Sequence, residues 1–349
     1  MTQAVRWGVL GSGGIAKRRT IPEGIIPARN AKLVSIYDID LKVNSELAEK
    51  HQCTTAASIY NLLDSDIDAV YVATPVSVHN EQVLECAKAG KHILCEKPFG
   101  LNVAEAKKII KACEDANVLL GSAFMMRFHS QHQAALKMVE SGKLGKLTYG
   151  RAQLSAWYPP LNAWRQDPKL GGGGSLIDMG SQCINLLQMY FGEISKVSCF
   201  INNIVHDYQS EDSATAMLFF KSGALATVDA FFCIPDNSSK NVLELYGSKG
   251  SILAHGTIGQ GDAGVMRAFL EKDVKDYDAA QDRDVDEGEF IKPEPVNTYK
   301  AEIEEFGQAV IEKRRPSNDA NLGLENQRIV AACYESAKSG KVIDIQDFE

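Results

Sequence analysis

The chain has 349 residues, 45% of them hydrophobic and 23% charged, with a formal net charge of −8. That length exceeds one ordinary core and predicts two domains with a cleft between them. The acidic balance and the shortness of the basic clusters, "AKRR" at 16–19 and "EKRRP" at 312–316, exclude nucleic acid as an expected partner. No apolar run approaches the roughly 20 residues that span a bilayer, so no membrane partner is expected either.

The opening "VRWGVLGSGGIA" reads as a short apolar strand, a glycine turn and a helix. It begins too close to the N-terminus to leave room for a secretory signal, which predicts a cytoplasmic protein. "AKLVSIYDID" follows as a strand ending in acid, then "KVNSELAEKH" as a helix with His51 at its end. "DAVYVATP", "KHILCEKP" and "VLLGSAF" read as strands, separated by the helices "HNEQVLECAKAG" and "NVAEAKKIIKACEDAN". Strands alternating with helices argue for a parallel sheet covered on both faces, a doubly wound α/β domain over residues 1–123.

Gly11, Gly13 and Ala16 form GxGxxA, with Gly14 and Ile15 inside the motif, between the first strand and its helix. The first glycine permits the tight turn, the second lets backbone approach a pyrophosphate, and the small third residue lets helix and strand pack closely. Asp38 closes the second strand where a carboxylate accepts from adenosine ribose hydroxyls. Because that carboxylate would repel a 2'-phosphate, NAD is favoured over NADP. Lys17, Arg18 and Arg19 are the counter-evidence, although a solvated helix face explains them as well.

From residue 124 the texture changes. A helix, "RFHSQHQAALKMVESGKLGK", leads into "LTYGRAQLSAW", "KVSCFINNI", "SATAMLFFKSGALATVDAFF" and "NVLELYGSKGSILA". These alternate as strands of a mostly antiparallel sheet with one face packed and one free, an α+β domain over 124–349. The acid-rich run between 271 and 289 reads as a solvated excursion, and "YKAEIEEFGQAVIEKRR" as an amphipathic helix. The eight cysteines show no CxxC pair and no metal-like spacing, which predicts reduced thiols and no metal site. Between the strands, "GGGGSLIDMGSQCINLL" at 171–187 opens as a glycine hinge and becomes an apolar-periodic helix. Asp178 and Gln182 lie four apart on it, on one face, where both could enter one site.

"ATPVSVHNEQVLECAKAGKHILCEKPFGLNVAEAKKII" resembles the signature region of the Gfo/Idh/MocA oxidoreductases, and Glu96-Lys97-Pro98 is its most specific part. The likeness continues through "WRQDPKLGGGGSLIDMG", "LELYGSKGSI" and "YESAKSGKVIDI". It implies a Rossmann domain, an open-faced sheet domain and an active site between them, acting on a hydroxyl or ketone of a sugar or cyclitol. Lys97 would then stand beside the nicotinamide and the reacting hydroxyl, and Asp178 would be the acid of the catalytic helix. The resemblance also implies that Thr74, Pro75 and His79 line the nicotinamide side and that Glu96 contacts its ribose. Trp164 and Arg165 match the substrate-side segment. Familiar members place a catalytic histidine where this chain has Gln182. A carboxamide has no useful pKa for proton transfer, so Gln182 can orient a hydroxyl but cannot take its proton. Lys97 is the expected replacement, with Tyr158 and His129 as further candidates.

Each residue also has a plainer reading. Lys97 could be a surface lysine, Asp178 a brace for the glycine loop, Trp164 and Arg165 an interfacial stack, and Tyr158 and His129 structural side chains. Two other functions fit the same residues: a glycosidase that oxidises its substrate transiently on bound NAD, and a non-catalytic dinucleotide-binding regulator. The uncovered sheet face predicts a homodimer or homotetramer packed sheet to sheet.

Overall fold

The computed structural model describes residues 4–161, 163–271, 279 and 287–348. Six strands form the first sheet: β1 (Val5–Leu10), β2 (Ala31–Tyr37), β3 (Thr54–Thr55), β4 (Ala69–Val72), β5 (His92–Glu96) and β6 (Leu120–Ala123). Their order is β3-β2-β1-β4-β5-β6 and every pairing is parallel. Strand β4, "AVYV", is buried at all four positions because helices cover both sheet faces. The strand order reverses between β1 and β4, so the ends of these strands open the crevice where such sheets hold ligands.

The helix after β1, Ala16–Ile25, is wound wide, with the Ile26 N–H donating to the Ile21 carbonyl five residues back. Pro22 lies inside it and lacks the N–H that a regular turn would use. The helix Leu41–His51 is capped by Asp40, whose side chain accepts from the Lys42 and Val43 N–H groups, and His51 ends it.

The second sheet has nine strands: β7 (Leu147–Ser155), β8 (Ile194–Asn202), β9 (Ser213–Phe220), β10 (Leu225–Phe231), β11 (Val242–Gly247), β12 (Gly250–His255), β13 (Val265–Leu270), β14 (Glu289–Phe290) and β15 (Ile343–Asp344). Their order is β14-β13-β12-β11-β7-β10-β9-β8-β15, antiparallel throughout except that β7 and β10 run parallel. From Ala214 on, strand β9 alternates, with Ala214, Ala216 and Leu218 buried and Thr215, Met217 and Phe219 exposed. The buried row packs with the helix Ser181–Phe191 in one core. Residues 272–278 and 280–286 of the acid-rich run lie outside the described residues.

Two late helices return towards the first sheet. In Thr298–Glu312, Ile303 and Phe306 join the core around β1, with the Phe306 ring 5.7 Å from that of Trp7. The sequence reading assigns this segment to the second domain, yet its apolar stripe completes the core of the first. Ala320–Ser339 lies against the helix Val103–Asp115, β6 and β8, and so spans both sheets.

Candidate active site

At the β1 turn, Gly11 has φ +80°, and a Cβ there would lie 2.7 Å from the backbone of Ala73 and Thr74. Only glycine allows β1 to turn that close to the end of β4. The Gly13 N–H donates to Asp38 Oδ2 at 2.9 Å, and the Asp40 N–H donates to Oδ1 at 3.0 Å, which fixes the acid beside the turn. Gly14 has φ +44° with nothing within 4 Å of an added Cβ, so this side of the turn is open. The first helix starts here, and its unbonded N–H groups suit a pyrophosphate. The turn therefore fits a dinucleotide.

A cleft of about 460 Å³ opens from this turn to the second sheet. Gly14, Ile15, Thr74, His79, Glu96 and Lys97 line it from the first unit, and Tyr158, Trp164, Arg165, Asp178 and Gln182 from the second. Gly11, Gly13, Asp38 and Pro75 stand behind or beside this lining. Pro75 caps the helix Val76–Lys88, and the His79 ring bridges the carbonyls of Thr74, 2.8 Å from Nε2, and Pro98, 2.9 Å from Nδ1. His79 thus ties the β4 end to the turn after Lys97.

Lys97 follows β5 and is 10% exposed. Its ammonium donates to Asp178 Oδ1 at 3.1 Å and also to the Asp178 backbone carbonyl. Arg165 Nε lies 3.2 Å from the other carboxylate oxygen, and its guanidinium stacks 4.1 Å over Trp164. Burial raises the Asp178 carboxyl, but Lys97 and Arg165 outweigh it and hold the group well below the usual carboxylate range. Asp178 is therefore a fixed anion that orients two cations, rather than an acid that exchanges protons. Next to Lys97, Glu96 accepts from the Tyr71 hydroxyl, which in turn accepts from Thr20 at 3.0 Å. Burial lifts the Glu96 carboxyl against the opposing pull of Tyr71 and Lys97.

The glycine loop has a physical cause. Glu211 is buried, and its two oxygens accept from the Gly174 and Leu176 N–H groups at 2.9 Å each, while Tyr334 donates to it at 2.8 Å. A Cβ on Gly173 would stand 2.0 Å from the Tyr334 hydroxyl, and one on Gly174 2.0 Å from the Glu211 carbonyl. After the loop, Leu176–Gly180 forms a π turn in which the Ser181 N–H reaches the Leu176 carbonyl. Such insertions are frequent at functional sites. Here the turn carries Asp178 into the cleft, and Gln182 Oε1 is left buried with no partner among the described residues.

His129 lies elsewhere. It is buried, caps the helix Ser130–Glu140 by accepting from the Gln131 N–H, and packs 4.6 Å from His132. Of the two further candidates, only Tyr158 faces the cleft. Sequence reasoning missed Arg18, Asp236 and Asn241 as cleft residues; Arg18 was explained as a solvated helix face, and the other two come from the loop between β10 and β11. No local signal marks them, because sheet order alone brings them to the site.

All eight cysteines are free thiols. Among the described residues no group of histidine, cysteine and carboxylate side chains forms a metal site, and no helix is long and apolar enough to cross a membrane.

Residues 5–124 match an oxidoreductase family with an NAD-binding Rossmann fold, and residues 132–253 match the GFO/IDH/MocA C-terminal domain. A D-xylose 1-dehydrogenase (NADP(+)) from Haloferax volcanii is 28% identical over 344 residues, covering 97% of this chain and 99% of that protein. A 1,5-anhydro-D-fructose reductase from Ensifer adhaerens is 26% identical over 348 residues, 98% of each chain. Among solved structures, an aldose-aldose oxidoreductase from Caulobacter crescentus complexed with glycerol has the same fold. Its TM-score is 0.86 at 24% identity, over 98% of this chain and 100% of that one. None of these is named as a glycosidase or a regulator, so they lend those alternatives no support. With both domain types matched in order over most of its length, the chain belongs to the Gfo/Idh/MocA family of oxidoreductases.

Proposed function

We propose that this oxidoreductase transfers a hydride between NAD and a secondary hydroxyl, or the matching ketone, of a sugar, sugar derivative or cyclitol, with Lys97 exchanging the proton. One observation carries this reading: a lysine at the crevice of the first sheet reaches across to the acid of the glycine-loop helix. An ammonium has three donors, and Asp178 takes two of them. The third is free for the reacting oxygen. Bound nicotinamide supplies the hydride exchange. On reduction Lys97 gives the proton of that third N–H to the substrate oxygen and is left as the neutral amine; on oxidation the neutral amine takes the hydroxyl proton and becomes the ammonium. Asp178, itself held by Arg165, keeps Lys97 in place, and Gln182, which lines the cleft, bonds a substrate hydroxyl. The test is a panel of aldoses, anhydrosugars and cyclitols incubated with NAD, with NADH formation as readout. Turnover on at least one polyol is expected; none with NAD or NADP across the panel would overturn the reading in favour of a regulator.

The choice of NAD rests on the Asp38 carboxylate, held beside the turn at the end of β2. Equilibrium titration should show NAD bound more tightly than NADP. The reverse order would overturn the NAD assignment, with Arg18, exposed on the cleft rim, then the residue to examine.

Gln182→Ala should raise the substrate KM more than it lowers kcat, because the amide binds and does not transfer protons. Gln182→His should add a titration to the kcat profile near histidine's ordinary value of about 6.5. An unchanged profile would mean that position 182 does not reach the reacting oxygen.

The assembly we propose is a homodimer or homotetramer closed over the free sheet face. Phe200, Met217 and Phe219 there are 77%, 53% and 42% exposed, on neighbouring strands β8 and β9. Light scattering should give an oligomer that Phe200→Glu weakens; a monomer at micromolar concentration would refute it. The free thiols support our reading that the protein works in a reducing compartment, the cytoplasm.

A further inference from the structure

The Lys97–Asp178 contact joins two units that share no sheet, so something must fix the distance between them. The β5 turn carrying Lys97 belongs to the first sheet, and the π turn carrying Asp178 packs on the second. We propose that the helix Ala320–Ser339 sets this register, with Asn326 and Gln327 as positioning residues for the reaction. The inference rests on the function proposed above.

The geometry is specific. Gln327 Nε2 donates to the Gly100 carbonyl at 2.6 Å, three residues beyond Lys97. Asn326 Nδ2 donates to the Ser181 carbonyl at 2.9 Å, three residues beyond Asp178. Two consecutive residues of one helix thus grip the segments that carry the two halves of the pair. Both are buried, at 4% and 3% exposure. Two turns further on, Tyr334 donates to Glu211, which holds the glycine loop ahead of Asp178. The helix also lies tight on the Lys97 turn: a Cβ at Gly323 would stand 2.5 Å from the Phe99 ring.

Gln327 carries a cost as well as a bond. Among the described residues its buried Oε1 has no partner, while its Nε2 satisfies the Gly100 carbonyl. A methionine of similar shape removes the first penalty but leaves that carbonyl unpaired, so the two effects on stability oppose each other. What it removes outright is the grip on Gly100, and a misplacement of about 1 Å near reacting groups can lower a rate by roughly 100-fold.

The test is Gln327→Met, with Asn326→Leu as the second variant should the first fail to fold. Three readouts in the intact protein separate positioning from simple support. The melting temperature should change little for Gln327→Met, while kcat falls by about 10- to 100-fold and the KM for NAD stays within about twofold. A variant with native melting temperature and kcat overturns the inference. So does a loss of kcat that merely tracks a loss of melting temperature. Should the native protein turn over no substrate, the functional reading fails separately. The register is then read from a crystal structure of Gln327→Met: the Lys97 Nζ to Asp178 Oδ1 separation should exceed the native 3.1 Å, and an unchanged separation overturns the inference.

Discussion

Lys97→Ala is expected to lower kcat by about 100- to 10,000-fold, the range ascribed to a positioned proton-transfer group, while NAD binding stays within about twofold. The two effects separate because different elements produce them. The pyrophosphate and ribose sites are the turn at Gly11–Gly14 and Asp38, which make no hydrogen bond with Lys97. The variant also has a pH signature. Asp178 is a carboxyl whose folded value is depressed, so the stability it contributes is present above its unfolded value of about 3.9 and lost as pH falls through the folded one. With Lys97 gone, Arg165 alone depresses it and the stabilisation at neutral pH is smaller. The deficit against the native protein should therefore be largest at neutral pH and shrink in acid. Denaturant unfolding at both conditions, beside single-turnover kinetics, reads both effects. Full turnover on an identified substrate would place the proton acceptor elsewhere, and Tyr158 on the opposite wall is the next residue to replace.

The first sheet was legible in the sequence for a simple reason. Its central strands β1, β4, β5 and β6 are largely buried and appear as mostly apolar runs, while the helices between them carry an apolar stripe. The turn at Gly11 and the acid at Asp38 follow from position in that alternation, whereas Lys97 stands out through the resemblance carried by Glu96-Lys97-Pro98. Less legible were elements whose burial is polar. The buried side of Ala320–Ser339 includes Asn326, Gln327 and Ser336, which interrupt the apolar period and hide a 20-residue helix. Glu211, in "QSEDS", looks like part of an acidic surface loop. It is buried because the peptide N–H groups of the glycine loop need acceptors. The spacing of Asp178 and Gln182 put both on one face, but the extra residue of the π turn leaves no mark in the apolar pattern. The return of Thr298–Glu312 to the first core is a matter of topology, which periodicity does not encode.

Gly174→Ala is expected to destabilise the fold by about 3 kcal/mol, the upper part of the usual overpacking range, and to lower kcat by about 100-fold through displacement of Asp178. The added Cβ would lie 2.0 Å from the Glu211 carbonyl oxygen and 2.9 Å from its nitrogen. Both are backbone atoms that no side-chain rotation can move. Glu211 is itself tied to the loop by its bonds to Gly174 and Leu176 and to the long helix by Tyr334, so relief must come from the loop. Asp178 lies four residues further on, and its N–H donates to the Gly174 carbonyl at 3.1 Å. A shift at Gly174 therefore passes directly to the turn that presents the carboxylate to Lys97. The proper control is Gly142→Ala, at a glycine with φ +71° and nothing within 4 Å of a new Cβ. It should cost about 1–2 kcal/mol for the left-handed backbone alone and leave kcat unchanged. Denaturant unfolding and steady-state kinetics on the two variants distinguish a crowded loop from a generic glycine effect. If Gly174→Ala behaves like Gly142→Ala in both measurements, Glu211 does not fix the loop, and the placement of Asp178 must come from the helix behind it.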